Sequence, residues 1–478
     1  MKAGFASADI TPSIGMECPG GFSKKFHTAV HDPCFAKAMV MEGDDATVAL
    51  VGLDTLSIKR SVVQAARDRI ETETDIAGSN VMVGASHTHR GGPIFGFRPG
   101  DFDDPAVFDV EFCENLAQNH AVAPDLCYLE YVGSQIATAV ISAWQNREEA
   151  HLAVNSGTEE TVAFNRGFVM SDGTRATHPG KGNPDIVQPF GPADPEVGVL
   201  SAWRPDGSFL GCTVNFTCHG TTGNPGISAD WIHWMRYAIT GGMHGGEVVF
   251  LNGACGDVTQ VNNTSMQERE FGAKWSRRVG QKVGAEALKV LAMAEPSDLL
   301  PVAAQQRVLQ FEPRDVSEER FQEALDIWHS DPPDGWKKWF ARDEILLHEY
   351  NKIEPQVPGE LQVIQVGPAA FAANPGEYFC QFGLNIKERS QFDYTYVVEL
   401  ANGCIGYVPT ADAMGEHGGG YEPRMAMTSK LVPETGQIIE DELVDMLNGM
   451  TYIEAPEPPK IEEVGSTWEA GSSSSDDV

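Results

Sequence analysis

Val81-Met-Val-Gly-Ala-Ser-His-Thr-His-Arg-Gly-Gly-Pro93 decides the fold, because an apolar run ends there in two histidines separated by one residue. In an extended backbone alternate side chains share a face, so the sequence predicts that His87 and His89 point the same way. The Gly-Gly-Pro sequence then ends the strand and leaves space beside the pair. Two adjacent neutral imidazoles can hold a metal ion, but two solvated polar residues at a strand end would give the same pattern. The triplet alone leaves both interpretations open.

The segments before this stretch indicate a sheet with helices. Residues 47–54 form an apolar run typical of a buried strand, and residues 59–76 carry apolar side chains at helical spacing. Strand, helix and strand in this order make a parallel pair, and ligands gather at the carboxyl ends of such strands. Asp54 ends the first strand, so it is either a partner for an imidazole or the N-cap of the next segment.

Three later segments also place polar residues where an element ends. One apolar run leads into Thr217-Cys-His-Gly-Thr-Thr-Gly223, which puts His219 before a glycine-rich turn. Another leads into Asn252-Gly-Ala-Cys-Gly-Asp257, where glycines would let the backbone approach a ligand closely. Asn374-Pro-Gly-Glu377 is a turn that delivers a carboxylate at the start of a helix. The sequence therefore predicts a site assembled from separate segments.

The remaining segments complete the predicted fold class. This is α/β, with a mixed or mostly parallel sheet flanked by helices, ligands at strand ends, and a single catalytic domain over residues 1–455. The acidic, Pro- and Ser-rich residues 456–478 are expected to be a disordered tail. The predicted helices cover residues 128–144, 266–294, 378–388 and two parts of 317–354. The further predicted strands cover residues 209–216, 247–251, 361–366, 369–373 and 394–400. Residues 96–125, which are expected to be a lid, and residues 167–195 are predicted to be irregular.

The composition excludes some classes of function. The 478 residues include 68 Asp and Glu against 34 Lys and Arg, a formal charge of -34 that would repel nucleic acids and anionic membranes. Hydrophobic residues make up 42% of the chain, which suffices for a large core. No nucleic-acid partner and no stable membrane anchoring are therefore expected, and the oligomeric state is left open.

The cysteines and the N-terminus indicate a cytoplasmic protein. Nine cysteines are scattered singly without a C-x-x-C pair, which argues against a disulfide framework and against a thiolate zinc site. The first residues lack the basic start and apolar run of a secretory signal, and no later stretch predicts a membrane span. A cytoplasmic location is the expectation, or a secreted one if a leader has been removed.

The polar residues at the segment ends suit one kind of metal chemistry. His87, His89, His219 and Glu377 are the imidazole and carboxylate ligands that a catalytic zinc site uses, with one coordination position left open. Two other classes of enzyme contain H-x-H. The metallo-β-lactamase pattern continues with Asp and His, where this chain has Arg90 and Gly91, and the amidohydrolase barrels carry H-x-H on their first strand. Both fit worse.

Several motifs together resemble the neutral/alkaline ceramidases, a family of zinc amidases. The resemblance covers roughly residues 3–455, and the motifs occur in the family's order. They are Ala8-Asp-Ile-Thr-Pro12, His31-Asp-Pro33, Ala85-Ser-His-Thr-His-Arg-Gly-Gly-Pro93, Phe164-Asn-Arg166, Val214-Asn-Phe-Thr-Cys-His-Gly-Thr-Thr222, Gly256-Asp-Val-Thr259, Pro375-Gly-Glu377 and Asn402-Gly-Cys-Ile-Gly-Tyr-Val-Pro-Thr410.

The resemblance implies a role for individual residues. It assigns zinc binding to four residues and substrate contact or catalysis to His89, Arg166 and Tyr407. Tyr421, which follows the Gly418-Gly-Gly420 run, either lines the same cleft or anchors a mobile loop. Zinc would lower the pKa of a bound water from about 15.7 to about 7, so that hydroxide can attack an amide or ester carbonyl at neutral pH. The implied zinc ligands are His87, His219, Glu377 and Tyr407.

Two departures from the family limit the expected substrate, and two other functions stay open. Gly253 stands where the ceramidases have a serine that contacts the lipid's polar head, and a counterpart of the family's C-terminal immunoglobulin-like domain is not expected in the acidic residues after 455. A soluble amide or ester is therefore expected rather than membrane ceramide. A metal-dependent phosphoesterase would need more carboxylates, with candidates Asp54, Asp230 and Asp257, and a non-catalytic metal-containing binding module is the third possibility.

Overall fold

A five-stranded sheet carries the stretch with the two histidines. The computed structural model describes residues 1–21, 24–94, 124–330 and 335–455. The strand order is β4-β3-β2-β1-β5, and only the β3–β4 pair is parallel. One face of this sheet is covered by α1 and α2. The elements are β1 (Lys2–Asp9), β2 (Phe35–Glu42), β3 (Thr47–Leu53), α1 (Arg60–Glu73), β4 (Val81–Ala85), α2 (Leu126–Gln145) and β5 (Glu148–Glu149).

A second, four-stranded sheet carries His219 at the end of one strand. Its order is β13-β12-β11-β6, with a parallel pair between β12 and β13 that places their carboxyl ends together. Helices α3 and α4 cover its outer face. These elements and the short strands between them are β6 (His151–Thr158), β7 (Phe164–Asn165), β8 (Gly167–Met170), β9 (Arg175–Thr177), β10 (Ile186–Pro189), β11 (Glu196–Trp203), β12 (Phe209–Phe216), α3 (Trp231–Gly242), β13 (Glu247–Asn252), β14 (Val258–Thr259) and α4 (Ala273–Leu291).

A third sheet, in the order β15-β16-β17-β19, forms the C-terminal part of the described chain. A separate parallel pair, β18 with β20, lies beyond its strand ends. The elements are β15 (Val302–Phe311), α5 (Glu318–His329), α6 (Trp336–Ile353), β16 (Val357–Val366), β17 (Ala369–Ala373), β18 (Gly376–Tyr378), α7 (Cys380–Arg389), β19 (Tyr394–Val398), β20 (Gly406–Val408), α8 (Ala411–Met414) and α9 (Thr435–Asn448).

The three sheets share one apolar core. In β3, Leu50 points into this core whereas Val51 packs under the helices, as the alternation of side chains along a strand requires. Burial on both faces explains why β3 is apolar at nearly every position. From the other two sheets Leu200, Val249 and Phe371 meet Leu50 in the same core. Full burial of such a side chain contributes roughly 1.5–3 kcal/mol, so the sheets hold one another in place.

The structure confirms the α/β class with mixed sheets, although antiparallel pairs predominate. The predicted helix over residues 266–294 is wrong at its start, since α4 begins at Ala273. Met266 is 84% exposed and Phe271 is 52% exposed, so neither belongs to its buried face. The irregular residues 167–195 contain the three short strands β8, β9 and β10. The predicted tail over residues 456–478, and nearly all of the predicted lid over residues 96–125, lie outside the described residues.

Asp54 is not the helix cap that its position suggested. Lys59 occupies the N-cap of α1, and the Asp54 carboxylate instead lies 2.6 Å from the Arg236 guanidinium and accepts the Phe35 N–H at 2.9 Å. All of the cysteines in the described ranges are free. No helix in those ranges has both the length and the apolar character that a bilayer crossing needs.

Candidate metal centre

The His87–His89 pair forms by a sharp turn rather than by strand alternation. Strand β4 ends at Ala85, and His87 has a φ of 59°, a left-handed conformation that is uncommon for a residue other than glycine. The extended backbone predicted here is therefore wrong, but the two rings still meet, with their Nε2 atoms 3.3 Å apart. His87 Nδ1 lies 2.8 Å from the Leu56 carbonyl oxygen. Donation from Nδ1 to that carbonyl leaves the Nε2 lone pair facing the cluster.

The loop after β12 brings His219 to this pair. The His89 N–H donates to the Gly220 carbonyl at 3.1 Å, and a Cβ at Gly220 would lie only 2.8 Å from the His87 carbonyl oxygen. Only glycine allows this close approach of the two chains. The ligand nitrogens of His87, His89 and His219 consequently lie within 4.8 Å of one another. Within the ranges that the structure describes, this is the only such group of His, Cys, Asp or Glu.

The parallel pair of β18 and β20 contributes Glu377 and Tyr407. The two residues are in register, so their side chains emerge from neighbouring strands on the same face. Glu377 Oε2 lies 3.3 Å from His87 Nε2 and 3.8 Å from His219 Nε2. The strand pair therefore places the predicted carboxylate ligand against two of the histidines and the predicted tyrosine ligand beside it.

Two atoms of this cluster are buried without a hydrogen-bond partner. They are His219 Nε2 and Glu377 Oε2, and both face the space between the histidines. Buried polar atoms normally have a partner, so unpaired atoms need an explanation. His219 Nδ1 lies 3.1 Å from the Val258 carbonyl, which leaves Nε2 as an acceptor. Imidazole nitrogens and a carboxylate oxygen that converge in a buried position suit a bound cation, and this donor set suits zinc.

Burial keeps two of the three histidines neutral. It is the largest influence on His89 and His219 and lowers the pKa of each well below its ordinary value, with the neighbouring positive charges of His87 and Arg166 acting in the same direction. Burial is also the largest single influence on His87 and acts to lower its pKa. The negative charges of Glu377 and Glu399, with the hydrogen-bond contacts to Glu377 and the Leu56 carbonyl, together outweigh it, so the net shift is upward. Metal ligation requires the neutral imidazole, which the environments of His89 and His219 favour at pH 7.

Arg166 lies beside the metal-ligand candidates. Its Nη2 donates to the Gly256 carbonyl at 2.7 Å and to the Tyr407 hydroxyl at 3.2 Å. The guanidinium lies 5.3 Å from the centre of the Tyr421 ring, which packs edge-on against the Tyr407 ring. The structure thus brings together His87, His89, Arg166, His219, Glu377, Tyr407 and Tyr421, all predicted from the sequence to form one site.

Gly253 has no room for a side chain. A Cβ at this position would lie 2.1 Å from the Thr217 hydroxyl oxygen. The Gly253 N–H donates to the Phe216 carbonyl at 3.0 Å, which fixes the backbone next to Thr217. The threonine side chain fills the space that a serine at position 253 would use, so the glycine is a packing requirement in this chain. A contact between Gly253 and substrate stays a prediction.

The sequence did not single out two buried residues next to the histidines. Glu399 accepts the Cys255 thiol at 2.8 Å and the backbone N–H groups of Cys255 and Tyr378 at 2.9 Å. Burial raises the pKa of Glu399 to about 8. Cys255 Sγ in turn lies 3.2 Å from His219 Nδ1. An acidic residue at the end of an apolar strand was the only local signal for this network, and Asp54 carries the same signal without belonging to the site.

The three aspartates considered for a second metal have other partners. Asp54 pairs with Arg236. Asp230 caps α3 and accepts the Thr222 hydroxyl at 2.5 Å. Asp257 accepts the Cys380 N–H and an Asn165 amide N–H. Each carboxylate therefore has a protein partner for at least one oxygen, and Asp54 Oδ1 is buried without a hydrogen bond.

Comparison with solved structures identifies the fold. The chain is similar to a crystal structure of neutral ceramidase from Pseudomonas aeruginosa, with a TM-score of 0.69 and 20% identity over 95% of this chain and 76% of that one. A structure described as ceramidase complexed with C2 matches with a TM-score of 0.69 and 19% identity over 95% and 77% of the two chains. No protein-family model and no curated sequence matches the chain. The fold implied by the sequence motifs is thereby confirmed.

Proposed function

We propose that this protein is a zinc-dependent hydrolase that cleaves an amide or ester bond of an acylated substrate. His87, His219, Glu377 and Tyr407 hold the metal ion, and His89 and Arg166 act on the substrate. The fold supports this assignment, because the solved structures that it matches are described as ceramidases. The family motifs fall on the residues that converge in the structure.

The observation that carries the proposal is the pair of unpartnered atoms on His219 and Glu377. Each belongs to a segment far from the other in sequence, yet Nε2 and Oε2 lie 3.8 Å apart in a buried position. Leaving a buried polar group unpaired costs roughly 1–3 kcal/mol. A bound cation removes that cost for both atoms at once. A structural role is less consistent with the residues, because structural zinc sites are closed and usually rich in cysteine.

The chain's own residues position and polarise the substrate. When bound, zinc supplies a Lewis acid and an activated water nucleophile. Arg166 keeps its positive charge and, with the Tyr407 hydroxyl, forms a donor pair for the oxygen on which negative charge develops. Removing one such donor from an enzyme typically lowers turnover about 100- to 1,000-fold. His89 is neutral and close to the cluster, so it can accept the proton of the nucleophile and later return it to the leaving group.

The expected substrate is a soluble N-acyl amide or ester rather than a lipid held in an anionic bilayer. The formal charge of -34 opposes approach to such a surface. At position 253 the chain offers no hydroxyl for a polar head group, because Thr217 occupies the space. Both features favour a substrate that diffuses to the site.

Metal analysis and a substrate panel test the proposal. Purified protein should contain one zinc per chain and hydrolyse members of a panel of N-acyl amides and esters, and chelation should abolish turnover until zinc is restored. His219→Ala should lose both metal and turnover, whereas His329→Ala, which changes an exposed histidine at the end of α5, should keep both. Full activity after chelation, or in His219→Ala, would refute the assignment. Phosphate release with two metals per chain would indicate a phosphoesterase instead.

A further inference from the structure

A buried carboxylate, Glu422, lies behind Arg166. Glu422 Oε1 lies 2.9 Å from Arg166 Nε, and Oε2 lies 3.5 Å from Nη1 of a second arginine, Arg175. The Thr177 hydroxyl donates to the same Oε2 at 2.5 Å. The carboxylate is completely buried, and both arginine side chains are nearly so. Glu422 is therefore clamped between two cations and a hydroxyl, away from solvent.

This clamp ties together two segments that are far apart in sequence. Arg175 and Thr177 belong to β9, next to the strand that follows Arg166, whereas Glu422 follows Tyr421 in a glycine-rich loop. The Arg175 side chain also donates to the Gly419 carbonyl, and its backbone N–H donates to the His417 carbonyl at 3.0 Å. The loop that presents Tyr421 is thus fixed by the same contacts that fix the Nε edge of Arg166.

Protein contacts hold two nitrogens of the Arg166 guanidinium, Nε and Nη2, and leave the third, Nη1, available to a substrate. Nε forms an ion pair with Glu422 that lacks hydrogen-bond geometry, and Nη2 donates hydrogen bonds to the Gly256 carbonyl and the Tyr407 hydroxyl. No hydrogen bond joins Nη1 to any residue in the described ranges. Because the guanidinium group is planar, fixing Nε and Nη2 also fixes the direction in which Nη1 points.

We propose that Glu422 is a positioning residue that orients Arg166 toward the substrate carbonyl oxygen. Its carboxylate meets the candidate site at Arg166, through the 2.9 Å ion pair with Nε. The inference rests on the proposed hydrolase function, since its readout is the reaction of the same site.

A double-mutant cycle with the zinc-loaded full chain tests this role. Glu422→Gln keeps the shape but removes the charge that orients Nε, and misplacement of a catalytic group by about 1 Å costs about 100-fold. Glu422→Gln should therefore lower kcat about 10- to 100-fold while KM for an N-acyl amide changes less than threefold. Arg166→Met should lower kcat further, and adding Glu422→Gln to it should cause no additional loss, because the residue that Glu422 orients is gone.

Glu360→Gln is the matched control. Glu360 is 1% exposed and also lies between two arginines, Arg60 and Arg67, but it contacts no residue of the candidate site. It should lower thermal stability without changing kcat of the folded protein. Thr177→Val, which removes one hydrogen bond to Glu422, gives a milder second probe and should show the same dependence on Arg166.

The possible outcomes separate the two proposals. Equal losses from Glu422→Gln in the native and the Arg166→Met backgrounds, or an unchanged kcat in Glu422→Gln and Thr177→Val, would overturn the positioning role while leaving the hydrolase assignment intact. Absence of turnover in the unmodified, zinc-loaded protein across the whole panel would instead remove the proposed function on which it rests.

Discussion

His87 and His89 differ in what holds their rings, although they are two residues apart. His87 Nδ1 lies 2.8 Å from the buried Leu56 carbonyl, and His89 Nδ1 lies 2.9 Å from the carbonyl of Gly20. Of these two rings, only that of His87 lies within 4 Å of the Glu377 carboxylate. This difference is consistent with His87 as a metal ligand and His89 as a substrate-facing residue. The ligand nitrogens of His87, His89 and His219 are nevertheless close enough together for all three to bind one metal ion.

Single substitutions distinguish these two roles. His87→Ala should lose the metal, because it removes a nitrogen that faces Glu377. His89→Ala should keep one zinc per chain and lower kcat about 100- to 1,000-fold, because it removes a proton-transfer group. Metal content by mass spectrometry and kcat on the best substrate of the panel are the measurements. Loss of zinc from His89→Ala would instead identify a three-histidine metal site.

Helix α6 carries a buried acid that makes stability depend on pH. Asp343 accepts the Met427 N–H at 2.9 Å, and burial raises its pKa to about 7. The pKa of an aspartate in an unfolded chain is about 3.9, so between about pH 4 and pH 7 the folded protein binds this proton more tightly. The stabilisation is therefore complete below about pH 4 and is lost as the pH rises through about 7.

Asp343→Asn should remove this dependence, because the amide oxygen still accepts the Met427 N–H and carries no charge. At pH 8 the variant should be more stable than the native chain, by at most about 4 kcal/mol, since one pKa unit corresponds to about 1.4 kcal/mol. Urea unfolding at pH 5 and pH 8 measures the effect. Asp326→Asn, at an exposed position of α5, should leave the difference between the two pH values unchanged.

At the scale of elements, the hydrophobic pattern of the sequence predicted the strands and helices that bury apolar side chains. The strands at β3, β4, β12 and β13 and the helix α2 follow from apolar runs or helical spacing. Contacts between distant segments gave no such signal. The pairing of Asp54 with Arg236 joins residues 182 positions apart, so local sequence favoured a helix cap instead. The start of α4 was misjudged because Met266 and Phe271 continue the apolar spacing while lying exposed.

The residues of the candidate site were predictable from sequence motifs, whereas the residues that hold them in position were not. The histidines, Glu377 and Arg166 belong to short patterns that resemble a known family. Tyr407 would have passed for a core aromatic on chemistry alone. The role of Glu422 depends on Arg166 and Arg175, which lie more than 240 positions earlier in the chain. An ion pair between residues this far apart in sequence leaves no pattern in any short stretch of the chain.

Across the whole molecule, the candidate metal site joins segments from all parts of the described chain. His87 follows the first sheet, His219 follows the second, and Glu377 lies on the β18–β20 pair beside the third. Unfolding separates these segments, so a metal that needs all of them binds the folded state only. Zinc binding should therefore stabilise the whole domain rather than one loop.

Removal of the metal should lower the free energy of unfolding of the entire protein. At free zinc equal to 100 times the dissociation constant, binding contributes about 2.7 kcal/mol. Urea unfolding followed by tryptophan fluorescence should shift by this amount between chelated and zinc-loaded protein. His219→Ala should show no zinc-dependent shift, and a shift of equal size in that variant would place the stabilising metal elsewhere.

The Thr217–Gly253 contact sets a rule for how these two positions change together. Because the Thr217 hydroxyl occupies the volume of a Cβ at residue 253, only one of the two positions can carry its side chain in this arrangement. Gly253→Ser alone should destabilise the fold by roughly 1–3 kcal/mol, the usual cost of overpacking, and Thr217→Gly in the same chain should recover most of it. Thermal unfolding of the single and double variants measures this. Among related sequences, a serine at position 253 should therefore be accompanied by a smaller residue at position 217, so that the pair covaries in size.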